Sequence, residues 1–368
     1  MDELGDERRY WLALSVCNGI GPIRFEKLLQ HFGSAKNAWD ATVAEIKESG
    51  IGEKTADDFE DFKKTFSLEE YEEKMHKLQV TYFTLQDSDY PHLLKTIKKA
   101  PPVLYKKGTY IFNKNDTLVS VVGTRKVTEY GREVTNLLVS ELVSAGCVIV
   151  SGLAMGVDAQ AHKSTIAAGG ITIAVLGSGV DIATPAENTA LYDQILAKGG
   201  AIVSETPLGQ MPNKGSFPAR NRIIAGLSQG VLVTEGAEDS GSLITAHDAF
   251  SFDRTVFAVP GPITSSVSKG PIALISNGAK VVMRGKDIID ELGIKSHIAS
   301  KKKSYETVGL SANEKKIMTL LQDQNLHVDE IIKRTSLISS EVGVILSLME
   351  VKGLLKSLES GFFGLTIK

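Results

Sequence analysis

The stretch SVVGTRKVTEYG, residues 120–131, places a run of apolar side chains before a single glycine and a segment of helical pattern. A buried strand that turns at a glycine into a helix is the unit from which parallel sheets are built. The N–H groups that are free at the start of such a helix attract phosphate. A dinucleotide-binding turn carries further glycines, whereas Gly123 is followed here by Thr124, Arg125 and Lys126. The stretch therefore predicts an α/β fold with an anion site of a different kind.

Apolar runs of the same kind recur through residues 79–293. Several are continuous rather than alternating, as expected for central parallel strands that are covered on both faces. Segments of helical pattern lie between many of them, and this repetition predicts an extended, doubly wound Rossmann-like sheet. The predicted strands cover residues 82–85, 103–105, 118–122, 148–150, 172–176, 201–203, 230–233, 256–259 and 280–283.

Residues 1–78 contain short helical patterns with two G-I-G turns, in VCNGIGPIRFEKLLQHFG and IKESGIGEKTADDFEDFKK. The doubled turn indicates a helical domain of the SAM-like or helix-hairpin-helix type. Turns of this kind can hold a DNA phosphate. The second turn, however, lies within residues 40–76, where twelve acidic residues face five lysines. Because these charges repel phosphate, we expect a packing or interaction role for this domain.

Residues 294–309, IKSHIASKKKSYETVG, form a polar stretch that indicates a linker. Residues 310–368 then contain three helical patterns and a short two-stranded ribbon. Ser311 and Glu314 form a capping-box pattern at the start of the first helix, and Ser339 is the expected cap of the third. Three helices followed by a ribbon predict a winged-helix domain.

The third helix of this domain, within SSEVGVILSLMEVKG at residues 339–353, is largely apolar and carries Glu341 and Glu350. A helix that reads the major groove presents Arg, Lys, Asn or Gln on its outer face. We therefore expect the winged-helix domain to serve in protein contacts or domain packing rather than in reading DNA.

The composition limits the class of protein. Apolar residues make up 42% of the 368 residues, charged residues 23%, and the net charge is −3, which fits a globular chain without a globally basic surface. No stretch approaches the ~18 consecutive apolar residues of a membrane span, and the N-terminus lacks a signal-peptide pattern. Cys17 and Cys147 lie far apart in apolar runs, so we expect buried free thiols and a reducing cytoplasm.

Glycine-rich segments follow four of the predicted strands: SVVGTRK, VSGLAMGVDAQAH, VLGSGVD and VTEGAEDSGSLITAHDA. Because the carboxyl ends of the strands line the crevice of an open parallel sheet, these segments predict an anion-binding crevice. Ser240, Gly241 and Ser242 lie at a predicted helix start, which suits phosphate and not a catalytic triad. Asp158 and His162 are four residues apart on another predicted helix. They could form an acid–base pair, but we favour a structural pair.

The segment NKGSFPARNRIIAGLSQG, residues 213–230, places Arg220 and Arg222 in the first turns of a predicted helix. Cations there oppose the helix dipole, so each arginine either pairs with a buried carboxylate or faces a bound anion. Phe217 lies between Lys214 and Arg220, which suits single-stranded nucleic acid, because its bases stack on aromatic rings while its phosphates pair with cations. A core position is the competing interpretation for Phe217.

In their order along the chain, a series of motifs resembles the DNA-processing protein A family, also called DprA or Smf, over nearly the whole length. The series begins with DSDYPHLLKTIKKAPPVLYKKG at residues 87–108. It continues through VVGTRKVTEYG, VSGLAMGVDAQAH, AVLGSGVD, SETPLG, FPARNRIIAGLS, TEGAEDSGSLITA, VFAVPGPI and KGPIALISNGA. The helical N-terminal segment and the winged-helix pattern also resemble those of known members.

This resemblance implies a bacterial, cytoplasmic protein that binds single-stranded DNA without sequence specificity and is not an enzyme. It implies that the protein protects incoming DNA and helps to load RecA onto it during natural transformation and recombination. It further implies a homodimer formed through the Rossmann-like domain, with no cofactor, no metal and no membrane attachment.

The resemblance also implies which residues bind DNA. It makes Arg125 and Lys214 phosphate contacts, places Phe217 on or near a base, and puts Arg220 in the same pocket. Met155 stands where the family often has arginine, and Thr124 replaces a more common serine. The full set of implied DNA-binding residues is Gly123, Thr124, Arg125, Gly152, Lys214, Phe217, Arg220, Asn221, Arg222, Ser240, Gly241, Ser242 and Lys269.

Two other functions stay open from the residues alone. The Rossmann-like superfamily also resembles nucleoside-monophosphate phosphoribohydrolases, which carry a P-G-G-x-G-T turn with a catalytic glutamate. The corresponding region reads EGAEDSGSL here, so that turn is missing, and Glu235 is the one obvious acid for the role. The remaining alternative is an interaction scaffold that binds no DNA.

Overall fold

The computed structural model describes residues 3–294, 310–321, 325–358 and 361–365. The chain divides into two compact units, Met1–Ile298 and Ala299–Lys368. Apart from Ile294, the predicted linker lies outside the described residues. No helix in the described ranges is long and apolar enough to cross a membrane.

Nine strands of the first unit form a single sheet, and each of the nine predicted runs overlaps one of them. The strands are β1 Val80–Thr84, β2 Val103–Gly108, β3 Leu118–Val122, β4 Val148–Ser151, β5 Thr172–Val175, β6 Ala201–Ser204, β7 Gly230–Val233, β8 Thr255–Ala258 and β9 Lys280–Val281. Their order across the sheet is β1-β2-β6-β5-β4-β3-β7-β8-β9. From β6 to β9 all neighbours are parallel. At the other edge, β1 and β2 pair antiparallel, and β2 pairs antiparallel with β6.

Fourteen helices accompany these strands within residues 3–294. Six precede the sheet: α1 Glu3–Val16, α2 Pro22–Phe32, α3 Ala35–Asp40, α4 Val43–Glu48, α5 Glu53–Thr65 and α6 Leu68–Lys77. The others are α7 His92–Lys95, α8 Glu129–Ser144, α9 Val157–Ala167, α10 Thr189–Ala197, α11 Ser216–Leu227, α12 Gly241–Ser251, α13 Lys269–Ser276 and α14 Gly285–Glu291.

Helices cover both faces of the parallel strands, which explains why these strands are continuous apolar runs. Alternate residues of β3 point to opposite faces. Leu118 and Val122 pack in a cluster with side chains of α11 and α12. Val119 and Val121 pack in a second cluster with side chains of α8, α9 and α14. The sheet is therefore doubly wound, as predicted.

The six N-terminal helices share a hydrophobic core with the antiparallel edge of the sheet. Trp11, Phe25 and Phe59 of these helices belong to the same buried cluster as Tyr105 of β2. The Tyr105 hydroxyl also lies 2.8 Å from the Ser15 hydroxyl of α1. The predicted boundary between residues 1–78 and 79–293 thus falls inside one compact unit, between α6 and β1.

The second unit has the three predicted helices and a small sheet. Its elements are α15 Ala312–Leu320, β10 Leu326–His327, α16 Val328–Thr335, α17 Ser339–Val351, β11 Leu355–Ser357 and β12 Phe362–Leu365, with strand order β10-β12-β11. The Ser311–Glu314 capping box is present at the start of α15. The cap predicted at Ser339 is wrong, because Ile338 takes the N-cap position without a side-chain hydrogen bond. The strand β10 was not predicted, since two residues carry no readable alternation.

Candidate functional site

A pocket of about 320 Å³ lies at the carboxyl ends of the central strands of the sheet. The turns after β3 and β4, the first turns of α11 and the start of α12 form its walls. Nine of the residues predicted to bind DNA line it: Gly123, Thr124, Arg125, Phe217, Arg220, Asn221, Ser240, Gly241 and Ser242. The crevice predicted from glycine-rich strand ends is therefore present at this edge of the sheet.

Gly123 allows the turn after β3 to pack closely against its neighbours. A Cβ atom at this position would lie 2.6 Å from the carbonyl oxygen of Glu235 and 2.6 Å from a methyl carbon of Val157. The N–H of Thr124 donates to the same Glu235 carbonyl at 2.7 Å. The glycine thus serves the packing of three strand ends, whereas in a dinucleotide fold the extra glycines admit the ligand.

The side chain of Thr124 shapes the turn so that Arg125 projects from it. The N–H of Lys126 donates to the Thr124 hydroxyl at 3.1 Å, which closes a local side-chain turn across Arg125. The side chains of Arg125 and Lys126 are both exposed.

The guanidinium of Arg125 lies over the ring of Phe217, with its central carbon 5.4 Å from the ring centroid. A cation at this distance from an aromatic face is attracted to it. Arg125 takes part in none of the ion pairs found among the described residues. Its charge is therefore free to attract an anion, and its stem is already ordered by the ring.

Phe217 is half-buried and belongs to no core cluster, so it is not the core residue of the competing interpretation. The start of α11 fixes its position. Asn213 accepts hydrogen bonds from the N–H groups of Gly215 at 2.8 Å and Ser216 at 3.0 Å. Lys214 is exposed in this same turn, three residues before the ring.

The start of α12 forms the facing wall of the pocket. The hydroxyls of Ser240 and Ser242 lie 2.8 Å apart, and the Ser240 hydroxyl caps the helix by accepting from the N–H of Ser242. The side-chain amide of Asn221 donates to the Gly241 carbonyl at 3.1 Å, which ties α11 to α12. Lys269 is exposed at the first residue of α13 and does not line this pocket.

Arg220 forms the buried floor of the pocket. It donates to the carbonyl of Gly152 at 2.5 Å and to that of Val175. Burial lowers the pKa of Arg220, and the nearby Asp158 carboxylate opposes this shift. Burial likewise raises the pKa of Asp158, and Arg220 opposes that shift. Arg220 is therefore held mainly by main-chain carbonyls, with the buried Asp158 carboxylate nearby.

Gly152 lies beneath this floor rather than on the pocket surface. Its N–H donates to Asp158 at 3.1 Å, and a Cβ atom there would lie 2.4 Å from an Arg220 nitrogen. The position predicted as a DNA contact is therefore one that admits the Arg220 side chain.

Arg222 does not lie in this pocket. Two residues along an α-helix turn the side chain by about 200°, so Arg222 points away from the direction of Arg220. Its guanidinium forms an ion pair with Glu205, and the side chain lines a different cavity. The structure thus separates two arginines that the sequence assigned to one site.

His162 and Asp158 form no acid–base pair. The Nδ1 atom of His162 lies 2.7 Å from the Thr172 hydroxyl, which itself donates to the Ile149 carbonyl at 2.8 Å. The imidazole is fully buried, and burial lowers the pKa of His162 to about 3. The favoured structural interpretation of this pair agrees with these contacts.

Glu235 is bound behind the turn rather than in the pocket. Its carboxylate accepts from the N–H of Thr128 at 2.9 Å and from the Thr128 hydroxyl at 2.5 Å. A Cβ atom at Gly131, in the first turn of α8, would lie 2.1 Å from a carboxylate oxygen of Glu235. Sequence reasoning missed this positioning role, for which Thr128 and Gly131 were the available signals.

Several lining residues were also not predicted from the sequence. Asp239 is an exposed carboxylate at the rim, beside the start of α12. Ala154, Ile244 and Thr245 add small or apolar wall. Met155, next to Ala154, is 44% exposed on the surface beside the pocket.

The family model described as DNA recombination-mediator protein A matches residues 81–293, more than half of the chain. The chain belongs to this family. Two further models match the flanks: the DprA-like N-terminal HHH domain over residues 5–52 and the DprA winged helix domain over residues 302–361. The family resemblance read from the motifs and the predicted fold class are therefore confirmed.

Relatives in this family are similar to this chain over more than half of its length. The protein Smf of Synechocystis is 41% identical over 291 residues, which is 78% of this chain and 73% of that protein. The structure of DNA processing protein A from Streptococcus pneumoniae is 34% identical and covers 77% of this chain and 97% of its own, with a TM-score of 0.66. DNA processing protein A from Helicobacter pylori, solved for its single-stranded DNA binding mode, is 31% identical and covers 59% of this chain and 98% of its own, with a TM-score of 0.51.

Proposed function

We propose that the pocket binds single-stranded DNA without reading its sequence. The Arg125 guanidinium seated over the Phe217 ring carries this proposal. A single strand offers phosphates and flat base faces at every step, and a cation beside an aromatic ring matches both. The relative from Helicobacter pylori, described by its single-stranded DNA binding mode, supports the same ligand.

The predicted site residues divide into contacts and supports. Arg125 and Lys214 bind phosphates, and Phe217 stacks on a base. Asn221 and the Ser240–Ser242 turn offer further polar contacts in the pocket, and Lys269 is an exposed cation outside it. Gly123, Thr124, Gly152 and Arg220 position these groups, while Arg222 lies outside the pocket and leaves the set.

At the level of the cell, we infer a role in processing DNA during transformation and recombination. In this role the protein protects incoming single strands, helps to load RecA, and acts in the cytoplasm as a homodimer joined through the Rossmann-like domain. Relatives named for DNA processing support this proposal. We propose that residues 1–78, 79–293 and 310–368 act as three functional domains in this role.

Substitution of the two proposed phosphate contacts tests the site. We expect Arg125→Ala and Lys214→Ala each to weaken binding to oligo-dT and to flatten the dependence of log K on log salt by about 0.7, the value for one phosphate contact on a single strand. Lys126→Ala is the matched control, because Lys126 is the exposed cation next to Arg125. A folded double variant with unchanged affinity and salt slope contradicts the site assignment.

The contacts of Glu235 disfavour the phosphoribohydrolase alternative. Its carboxylate is engaged by Thr128 behind the turn and does not line the pocket. We therefore expect purified protein to release no adenine from AMP. Measured release that is abolished by Glu235→Gln would restore the enzyme hypothesis.

A further inference from the structure

A cleft of about 760 Å³ lies between the N-terminal helices and the sheet, within the first unit. Both G-I-G turns line it, at residues 19–21 and 50–52. The opposite wall comes from the segment after β6 and from the first turns of α11. Its residues are Glu205, Thr206, Pro207, Gln210, Met211, Asn213, Ser216, Ala219 and Arg222. The two hairpin turns that the sequence predicted therefore face one shared cavity.

The cleft carries an excess of positive charge. Arg24, Lys27, Lys99 and Arg222 line it, against the single lining carboxylate of Glu205, which pairs with Arg222. The twelve acidic residues of the segment 40–76 are absent from its lining. Two of these carboxylates, Asp58 and Asp61, line an adjoining cavity that shares residues 16–18 and Gln210 with the cleft.

Two of these cations are held at the hairpin turns by neutral groups. Arg24 donates to the carbonyl of Gly19 at 2.8 Å, and Lys27 donates to the carbonyl of Gly50 at 2.9 Å. A carbonyl orients a cation without cancelling its charge, so both remain available to an anion. At the opposite wall, the buried Nη1 atom of Arg222 has no hydrogen-bond partner among the described residues.

The lining of the cleft also includes apolar side chains that are partly exposed. Ile23 is 51% exposed and Met211 is 66% exposed, and both line the cleft beside Val16, Ile20 and Pro207. An apolar surface bordered by cations matches a nucleotide, whose base is flat and apolar and whose phosphate is negative. A small inorganic anion would leave the apolar part uncovered.

The loop before α11 joins this cleft to the pocket. Asn213 and Ser216 line the cleft, Phe217 lines the pocket, and Lys214 is exposed between them. We propose that the cleft is a second subsite for the same DNA strand, which passes from Phe217 over Lys214 to the hairpin turns. This inference rests on the proposed function, since it extends the path of the strand that the pocket binds.

Charge reversal at the cleft, in the full chain, tests the inference. The variant Lys27→Glu with Lys99→Glu is compared with the control Lys114→Glu with Lys198→Glu, two exposed lysines that precede β3 and β6, on the side of the sheet where these parallel strands begin. Binding is measured with oligo-dT of about 6 and about 20 nucleotides, which lie near the lower end and above the upper end of the range of about 4 to 16 nucleotides bound by known single-strand binders. We expect the cleft variant to bind the long oligonucleotide about 10-fold more weakly than the control, with a salt slope flatter by about 1.4, and the short one equally well.

Photo-crosslinking of the unmodified protein locates the strand independently of any variant's folding. Oligo-dT carrying one 4-thiothymidine is crosslinked, and the peptides are identified by mass spectrometry. We expect crosslinks to residues 16–24 or 205–213 from positions a few nucleotides away from those that reach Phe217.

Equal binding of the long oligonucleotide by the cleft variant and the control, or crosslinks confined to the pocket, would overturn the inference. An acidic protein would then be the better occupant of the cleft. If the unmodified protein binds neither oligonucleotide, the proposed function itself fails, and this outcome is distinct from failure of the second subsite alone.

Discussion

At the scale of single residues, the Arg125–Phe217 contact combines two groups that would bind DNA in different ways. The guanidinium attracts phosphate through charge, whereas the ring attracts a base through stacking. Charge contacts release counterions and depend on salt, and stacking contacts do not. The two contributions can therefore be told apart although the groups touch.

We predict that Phe217→Leu weakens binding to oligo-dT by about 1 to 3 kcal/mol, the value of one stacked base, and leaves the salt slope nearly unchanged. Phe217→Tyr keeps an aromatic face and is the matched control. Affinities are measured by fluorescence anisotropy over a range of salt concentrations. A large change in the salt slope of Phe217→Leu, with the affinity at low salt preserved, would contradict the stacking role.

His162 predicts a pH dependence of stability. Burial, aided by the charge of Arg220, lowers the pKa of His162 in the folded protein from 6.5 to about 3, so between these values the unfolded chain binds a proton that the folded chain does not. The stability that depends on this group is complete above pH 6.5 and is lost progressively towards pH 3. We expect His162→Leu to flatten the fall of unfolding free energy, by at most about 1.4 kcal/mol per pH unit.

Urea unfolding at several pH values checks this prediction, with His247→Leu, a substitution of an exposed histidine, as the control. Parallel pH profiles for the unmodified protein and His162→Leu would show that the buried imidazole does not govern the acid sensitivity.

At the scale of elements, Glu235 links the loop after β7 to the turn after β3 through hydrogen bonds. Its carboxylate receives two hydrogen bonds from Thr128, the N-cap of α8, and its backbone carbonyl receives the N–H of Thr124. The position of Arg125 therefore depends on a neighbouring strand end that no local pattern reveals.

We predict that Glu235→Gln destabilises the fold and weakens DNA binding. An amide places an NH₂ group where one of the Thr128 donors now finds an oxygen, and a buried hydrogen bond to a charged group contributes about 1.5 to 3 kcal/mol. Glu129→Gln, at the exposed first residue of α8, is the control. Thermal unfolding and oligo-dT binding are measured together. Unchanged values for both would mean that the carboxylate does not position the turn.

The elements also show what the sequence could predict. The strands β3 to β8 were readable because their runs are buried on both faces, and the pocket at their carboxyl ends followed from the glycine-rich segments there. The antiparallel pairing of β1 and β2 was not readable, since strand direction depends on partners far along the chain. The environments of Arg220 and Arg222 were equally hidden, because the nearby Asp158 carboxylate and the ion-pair partner Glu205 come from other elements.

At the scale of the whole molecule, the N-terminal helices and the sheet share one core, so the hairpin turns are held at a fixed place beside the pocket. A fixed arrangement would let the pocket and the proposed second subsite act on one strand with a high effective concentration. Composition and motifs predicted the separate domains, but this shared core depends on contacts such as Ser15 with Tyr105, which link α1 to β2.

The proposed homodimer extends the same reasoning to two pockets on one strand. When a long strand occupies one pocket, the second binding event becomes intramolecular and can raise the affinity by about 10² to 10⁴. We predict that an excess of protomers carrying Arg125→Ala with Phe217→Leu, exchanged into the dimers, reduces the affinity for long oligo-dT to that of a single pocket. A short oligonucleotide, which cannot span two pockets, is the control. For it, the number of binding sites per dimer should fall, while the affinity of each remaining site stays the same. Light scattering checks the assembly, since a protomer has a mass of 39.6 kDa. A monomer in solution, or mixed dimers that bind the long strand with full affinity, would show that each pocket acts alone.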